Sequence, residues 1–430
     1  MAPSSGAMDY RLAEVMVKRV LMIAYHFPPV KVSSGIQRTL RFAQYLPDSG
    51  WTPIVLTPNP RAYATTSEED MAQVANMEVC RAFALDTSKH LLIGGRYPRI
   101  AALPDRWSSW WLGAVPAGMK LIRKFRPHVI WSTYPIATAH LIGLTLHRMS
   151  GIPWVADLRD PMAQDGYPTD PLVWKTFDWI EKRIVRYADA VTFTTPGALR
   201  EYKRRYPEKA EKFSVIENGY DENAFAAVKA GRDISPRNGV KPFTLVHSGV
   251  IYPQERDPRQ FFEALAQLLK AGEISSQVLR IVLRATGHDD YLQKFIDHNG
   301  VASIVTLAPA VPYTEALREM MTADGLLILQ AANCNDQIPA KLYECLRARR
   351  PILGLTDPAG DTGKALTAAG IDTIAPLDSV PAIRETLKRF IESLRAGTAS
   401  VAAEAVIASA SRQGRTLEFA SLLNTCLKTR

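Results

Sequence analysis

Short apolar runs recur along the chain, and most lead through a loop into a segment whose apolar residues return about every 3.6 positions. The first, VLMIAY (20–25), has the unbroken hydrophobicity of a strand buried on both faces of a parallel sheet. HFPPVKVSSG (26–35) follows, and its prolines exclude a helix there. In IQRTLRFAQYLP (36–47), Ile36, Leu40, Ala43 and Leu46 fall on one helical face, and TPIVLTP (52–58) is the next strand. The alternation continues through PHVIWST (127–133), helical IATAHLIGLTLHRMSG (136–151), IPWVADL (152–158), helical WKTFDWIEKRIVRYAD (174–189) and AVTFTT (190–195). Alternating strands and helices predict a parallel sheet wrapped on both faces.

Around 231–242 the chain turns to GRDISPRNGVKP, whose Gly, Pro and charge read as an interdomain connection. A second alternating set begins at FTLVHSG (243–249) and runs through VLRIVLRATG (278–287), IVTLAP (304–309), LLILQA (326–331) and PILGL (351–355). The expected organisation is a polar lead-in (1–18), a Rossmann-like domain (19–230), a linker (231–242) and a second Rossmann-like domain (243–411), with a cleft between the two. The closing helix, about 412–430, is left open: packing back on the first domain is one of its two options.

Composition agrees with two cores: 430 residues, 47% of them hydrophobic, exceed one ordinary domain. The net charge of +9 leaves an anionic ligand, a membrane surface or nucleic acid as partners. Four scattered cysteines, with no CxxC pair, argue against a disulfide frame or zinc knuckle. No apolar run is long enough to cross a bilayer and no signal peptide opens the chain, so the expected address is cytoplasmic. The eight histidines form no HxxxH or HExxH pattern and there is no Asp-x-Asp, so neither a metal nor another cofactor is expected.

Candidate chemistry concentrates in DQIPAKLYECLRARRPILGL (336–355). Asp336 falls just beyond the carboxyl end of a buried strand, where open α/β sheets bind ligands, and Pro339 suits the first turn of the helix that follows. Leu342, Cys345 and Leu346 form an apolar stripe, which turns Glu344 away toward solvent or a cleft. A carboxylate there can accept from the two hydroxyls of a ribose, and Asp336 can contact a second polyhydroxylated group. Equally, Asp336 can cap the helix and Glu344 can pair with Lys341 on a solvated face.

Following two serial Rossmann-like units, this segment resembles the nucleotide-sugar motif of the family-4 retaining glycosyltransferases of the GT-B fold. The family's usual pair is two glutamates with seven residues between; here the first is Asp336. The resemblance implies Glu344 on the donor's ribose and Asp336 on the donor sugar. HFPPVKVSSGIQRTLRFAQYLP (26–47) is similar to the family's amino-terminal opening, which implies that Gly35 and Ser34 approach the donor phosphate. HSGVIYPQERDP (247–258) resembles the diphosphate-gripping segment, with Gly249 retained, Val250 where an arginine is common and Arg256 near the usual lysine. Arg256 and Lys341 are therefore the expected diphosphate cations. WVADLRDP (154–161) looks like the acceptor-side segment, placing Asp157 and Asp160 toward the acceptor hydroxyl; an Arg–Asp brace across a loop is the other reading.

The implied activity is metal-independent transfer of a sugar, with retained configuration, from a nucleoside diphosphate donor to a glycan or lipid-linked acceptor of the cell envelope. Residues 94–126 set three tryptophans among basic side chains, which suits contact with an anionic membrane at its inner face or packing within the domain. No recognition motif supports nucleic acid. Two competing functions stay open: a scaffold that kept the GT-B shape without turnover, and a nucleotide-sugar epimerase of the same fold.

Overall fold

The computed structural model describes residues 17–30, 34–67, 69–92, 94–228 and 241–428, among which thirteen strands form two sheets. The first sheet comprises β1 (Lys18–Ile23), β2 (Trp51–Pro58), β3 (Glu78–Ala82), β4 (Val129–Thr133), β5 (Trp154–Arg159), β6 (Ala190–Phe193) and β7 (Phe213–Val215). Their spatial order is β3-β2-β1-β4-β5-β6-β7, and neighbouring strands run parallel. The second sheet comprises β8 (Phe243–Ser248), β9 (Leu279–Arg284), β10 (Val305–Ala308), β11 (Gly325–Leu329), β12 (Ile352–Leu355) and β13 (Ile374–Ala375), ordered β10-β9-β8-β11-β12-β13 and again parallel. In each sheet the order reverses beside the first strand, at β1/β4 and β8/β11, which opens a crevice at the strands' carboxyl ends.

The apolar runs become the central strands because they are covered on both faces: every residue of β4 and β11 is buried. Helices at Ser34–Tyr45, Ala137–Ser150, Pro171–Tyr187, Arg259–Lys270 and Val380–Ala396 supply the covering layers. The first domain's core centres on Trp51, Trp110, Trp131 and Trp154, all fully buried. The short edge strands β3, β7 and β13 carry little pattern of their own and were not apparent in the sequence.

The closing helix, Arg412–Lys428, packs on the first domain. Phe419 stacks on Phe42 at 4.7 Å, and Lys18 Nζ donates to Asn424 Oδ1 at 2.8 Å. The chain thus crosses between domains twice, side by side: Tyr220 pairs with Ser411 in a parallel bridge, and Arg412 N–H donates to the Tyr220 carbonyl at 2.8 Å. The lead-in up to residue 16 and residues 231–240 of the expected linker lie outside the described residues, and the first crossing comes earlier than expected, near Tyr220, because Tyr220, Phe225 and Val228 pack in a core cluster with Val246 and Leu326 of the second domain.

The tryptophan-rich stretch requires a partial correction. Trp110 is fully buried, and Trp107 packs on Tyr25 at 4.6 Å while donating to the Ala62 carbonyl at 3.2 Å. The helix Trp110–Phe125 needs an apolar side against the sheet, and that need consumes Trp110. Trp111 and Leu112 remain exposed, on a helix that also presents Lys120 and Arg123 outward.

Candidate functional site

The helix Lys341–Arg347 begins just after Pro339 and buries Leu342, Tyr343, Cys345 and Leu346, leaving Glu344 turned toward a cavity of about 670 Å³ between the domains. Tyr313 Oη donates to Glu344 Oε1 at 2.8 Å, and Lys341 Nζ lies 2.6 Å from Oε2. Burial and the Glu344 charge push the Tyr313 hydroxyl well above its ordinary range, so it stays a donor. Glu344 therefore pairs with Lys341, as one reading of the sequence has it, but in a cleft and not on a solvated face. The same cavity takes Gln37 and Arg41 from the helix Ser34–Tyr45, Arg159 from the end of β5, Asn218, Gly219 and Asp221 from the crossing, and Arg412 from the return crossing. Arg41 is held 2.6 Å from Asp221.

Asp157 does not reach this cavity, which corrects its expected place beside the acceptor. It is fully buried, and its carboxylate accepts two bonds of 2.9 Å from Arg38, one of 2.8 Å from Thr133 and one of 2.7 Å from Thr192. Burial pushes its carboxyl up, but Arg38 outweighs this and holds it below the usual carboxylate value. Four bonds saturate a carboxylate, so Asp157 is a brace between the helix Ser34–Tyr45 and strands β4, β5 and β6. Its partner is Arg38, not Arg159. The next side chains are presented by a kink: Arg159 has φ +63°, and the pairing of β5 with β6 shifts register between Asp157 and Arg159.

Asp160 and Asp336 line a second, larger cavity of about 900 Å³, together with Tyr134, Trp174, Asn333 and Gln337. Enclosure by the cleft pushes the Asp160 carboxyl up, with Arg159 opposing. Asp336 is exposed and lies 2.6 Å from Arg200 of the opposite domain, which also pairs with Asp361 at 2.8 Å. The Thr195 hydroxyl donates to the Asp336 carbonyl at 2.8 Å. The domains approach so closely here that a Cβ on Gly197 would stand 2.3 Å from Asp336 Cβ. The two acids of the motif thus face different cavities of one cleft, Glu344 with Tyr313 and Asp336 with Arg200.

Gly249 ends β8 with φ +137°, and a Cβ there would meet Lys341 Cε at 3.9 Å, so the glycine sits beside the lysine as expected of a close-approach loop. Arg256 is turned into its own loop, donating to the Val250 carbonyl at 2.7 Å beside the Tyr252 ring, and does not line the Glu344 cavity. It remains near enough, with Lys341, to help burial lower the His247 imidazole to about 4. Gly35 is buried in the first turn of the helix Ser34–Tyr45. Residues 31–33, the rest of the serine-glycine approach, lie outside the described residues. Arg38, Arg41, Tyr313 and Arg412 were not singled out from the sequence. Only the interdomain arrangement brings them together, and no local spacing signals it.

Two parallel α/β domains that face each other across a cleft, joined by two adjacent crossings, define a GT-B fold. Residues 34–219 match the family model described as Glycosyl transferase 4-like domain. It is 26% identical over 218 residues to a D-inositol 3-phosphate glycosyltransferase of Paenarthrobacter aurescens, covering 46% of this chain and 52% of that protein. It is 25% identical over 210 residues to TuaH of Bacillus subtilis, named as a teichuronic acid biosynthesis glycosyltransferase, covering 48% and 50%. The chain therefore spans about half the length of these curated relatives. Among solved structures, Anabaena HepE in complex with UDP aligns with a TM-score of 0.58 over 96% of this chain and 98% of that one, at 14% identity.

Proposed function

We propose that the protein transfers a sugar from a nucleoside diphosphate donor to a hydroxyl of a cell-envelope glycan or lipid-linked acceptor, with retention of configuration. The observation that carries this reading is Glu344, fixed by Tyr313 and Lys341 in a cationic cavity between the domains. A ribose diol suits the carboxylate, and a diphosphate suits the cations beside it. In the reaction the bond from the sugar's anomeric carbon to the diphosphate oxygen breaks, and the acceptor oxygen bonds to the same face of that carbon. The hydroxyl proton leaves with the departing diphosphate. Protein cations, in place of a resident metal or cofactor, meet the charge that develops on the leaving group. On this reading Asp336, at the adjoining cavity, contacts the donor sugar, and Asp160 serves the acceptor side.

The UDP complex of HepE and the teichuronic acid relative support the donor class and the envelope setting. Among the described residues no helix is long and apolar enough to cross a membrane. Contact with an anionic inner membrane face falls to exposed Trp111 and Leu112 with their basic neighbours.

Melting curves of the wild type and Glu344→Ala against UDP-, GDP-, dTDP- and ADP-sugars test this reading. A ligand at 100 times its dissociation constant adds roughly 2.7 kcal/mol to stability. One nucleotide class should raise the wild-type midpoint and leave the variant's unchanged. No shift with any donor at millimolar concentration overturns the reading and favours the scaffold. Conversion of donor without acceptor identifies an epimerase.

A further inference from the structure

The Glu344 cavity holds four cationic heads, Arg41, Arg159, Lys341 and Arg412, and two carboxylates, Asp221 and Glu344. Two of the cations are already neutralised, Arg41 by Asp221 and Lys341 by Glu344, each at 2.6 Å. Among the described residues, Arg159 and Arg412 form no ion pair at all. Arg159 spends one N–H on the Tyr134 carbonyl at 3.2 Å, and its kinked backbone holds the head at the cavity. Arg412 is anchored through its backbone to Tyr220, which fixes its side chain where the second crossing meets the cavity. Burial pulls the Arg412 guanidinium down to about 10, with Arg38 adding to the effect, and burial lowers Arg159 as well. Carboxylates nearby, Asp157 and Asp160 for Arg159 and Glu344 and Asp221 for Arg412, offset this only in part, and enclosed guanidinium groups in no direct ion pair are costly unless a ligand supplies one. Among the residues that line the cavity, four cations against two acids leave an excess of two positive charges, which matches a dianion.

We infer that Arg159 and Arg412 form a two-armed clamp for the phosphate groups of the ligand that enters the Glu344 cavity. The inference rests on the proposed nucleotide-sugar reading and assigns its anion to residues outside the β8 loop, where Arg256 is engaged with Val250. The arms come from the end of β5 and from the return crossing, so an anion held by both ties the first domain to the hinge. A guanidinium can give a phosphate two parallel bonds, and an arginine-to-glutamine change removes both the fork and the charge. The bound dianion is either the donor's diphosphate or a phosphate monoester on the acceptor; the clamp chemistry is shared.

Calorimetric titration of the full chain with UDP, GDP, dTDP, ADP, pyrophosphate, glucose 6-phosphate and the four free nucleosides tests this, using wild type, Arg159→Gln, Arg412→Gln and Glu344→Ala. Both glutamine variants should weaken the preferred nucleoside diphosphate roughly tenfold to hundredfold and leave its free nucleoside unchanged. Arg412→Lys should fall between. A loss confined to glucose 6-phosphate assigns the clamp to a phosphorylated acceptor. The unliganded Arg412→Gln should melt at or above the wild-type temperature, since it removes an uncompensated buried charge; a lower midpoint marks a structural arginine and overturns the clamp. Nucleoside diphosphate binding that depends on Glu344 but is unchanged in both glutamine variants also overturns the clamp, and the donor reading survives. Failure of the wild type to bind any phosphate-bearing probe overturns both.

Discussion

Replacing Arg38 by leucine isolates the energetic weight of the brace beneath the site. The guanidinium and the Asp157 carboxylate are 2% and 0% exposed and share two bonds of 2.9 Å; Arg38 also donates to the Glu217 carbonyl at 3.0 Å. Without Arg38, Asp157 keeps only Thr133 and Thr192 as donors and becomes an unpaired buried charge. Breaking one side of such a pair costs about 3–5 kcal/mol. With a urea slope of about 3 kcal/mol/M, at the upper end for a domain of this size, the midpoint should fall by about 1–2 M. Intrinsic fluorescence reads this domain alone, because all eight tryptophans lie between Trp51 and Trp179. The pH dependence gives an independent check. In the wild type the Asp157 carboxyl sits below its unfolded value, so its contribution is complete above about 3.9 and is lost as pH falls through the lower folded value. In Arg38→Leu the largest influence opposing burial is gone and only Arg159 and the threonine bonds still oppose it, so the folded value should rise above the unfolded one and protonation should relieve the cost. The gap between variant and wild type should therefore narrow as pH falls from 7 toward 5. A loss below about 1 kcal/mol, or a gap independent of pH, refutes the idea that Asp157 is a charged brace.

Gly197→Ala inserts a Cβ 2.3 Å from Asp336 Cβ and 2.6 Å from its carbonyl oxygen, so the domains must separate at that contact. Turnover should fall at least tenfold, of order 1.4 kcal/mol in the barrier, while the fluorescence-monitored midpoint of the first domain stays put; unchanged turnover shows that this contact is not needed for the active arrangement. Leu112→Asp, at a position 63% exposed, should reduce sedimentation with phosphatidylglycerol vesicles severalfold and leave binding of soluble donor unaffected. Equal sedimentation of variant and wild type removes this helix from the membrane reading.

Much of the fold was legible because buried parallel strands announce themselves. β1, β2, β4, β5, β6 and the second-domain strands from β8 to β12 all fall within the apolar runs read from the sequence, with ends shifted by a few residues. β7 and β13 are too short, with three and two residues, to show a period, and β3 is a half-exposed edge strand whose polar residues obscure it. The helix Ser34–Tyr45 begins two residues before the expected start and stops before Pro47, which enters a short 3₁₀ turn instead.

The site was legible only where its residues act within one element. The orientation of Glu344 follows from its own helix, since an apolar stripe at Leu342, Cys345 and Leu346 leaves it a single outward direction. Spacing alone cannot tell that Asp336 looks toward a different cavity, because the 3₁₀ turn at Ala332–Cys334 and the contact with Thr195 decide its direction. Asp157 misled for a related reason: a charged residue near a strand's carboxyl end reads as functional, and only the position of Arg38, 119 residues away in the chain, makes it structural. The same non-local logic explains Arg412. Its chemistry at the cavity depends on the last helix returning to the first domain, which carries residue 412 back beside residue 220. A cation contributed by a second crossing has no neighbouring motif in sequence, so its assignment rests on the charge balance of a folded cavity.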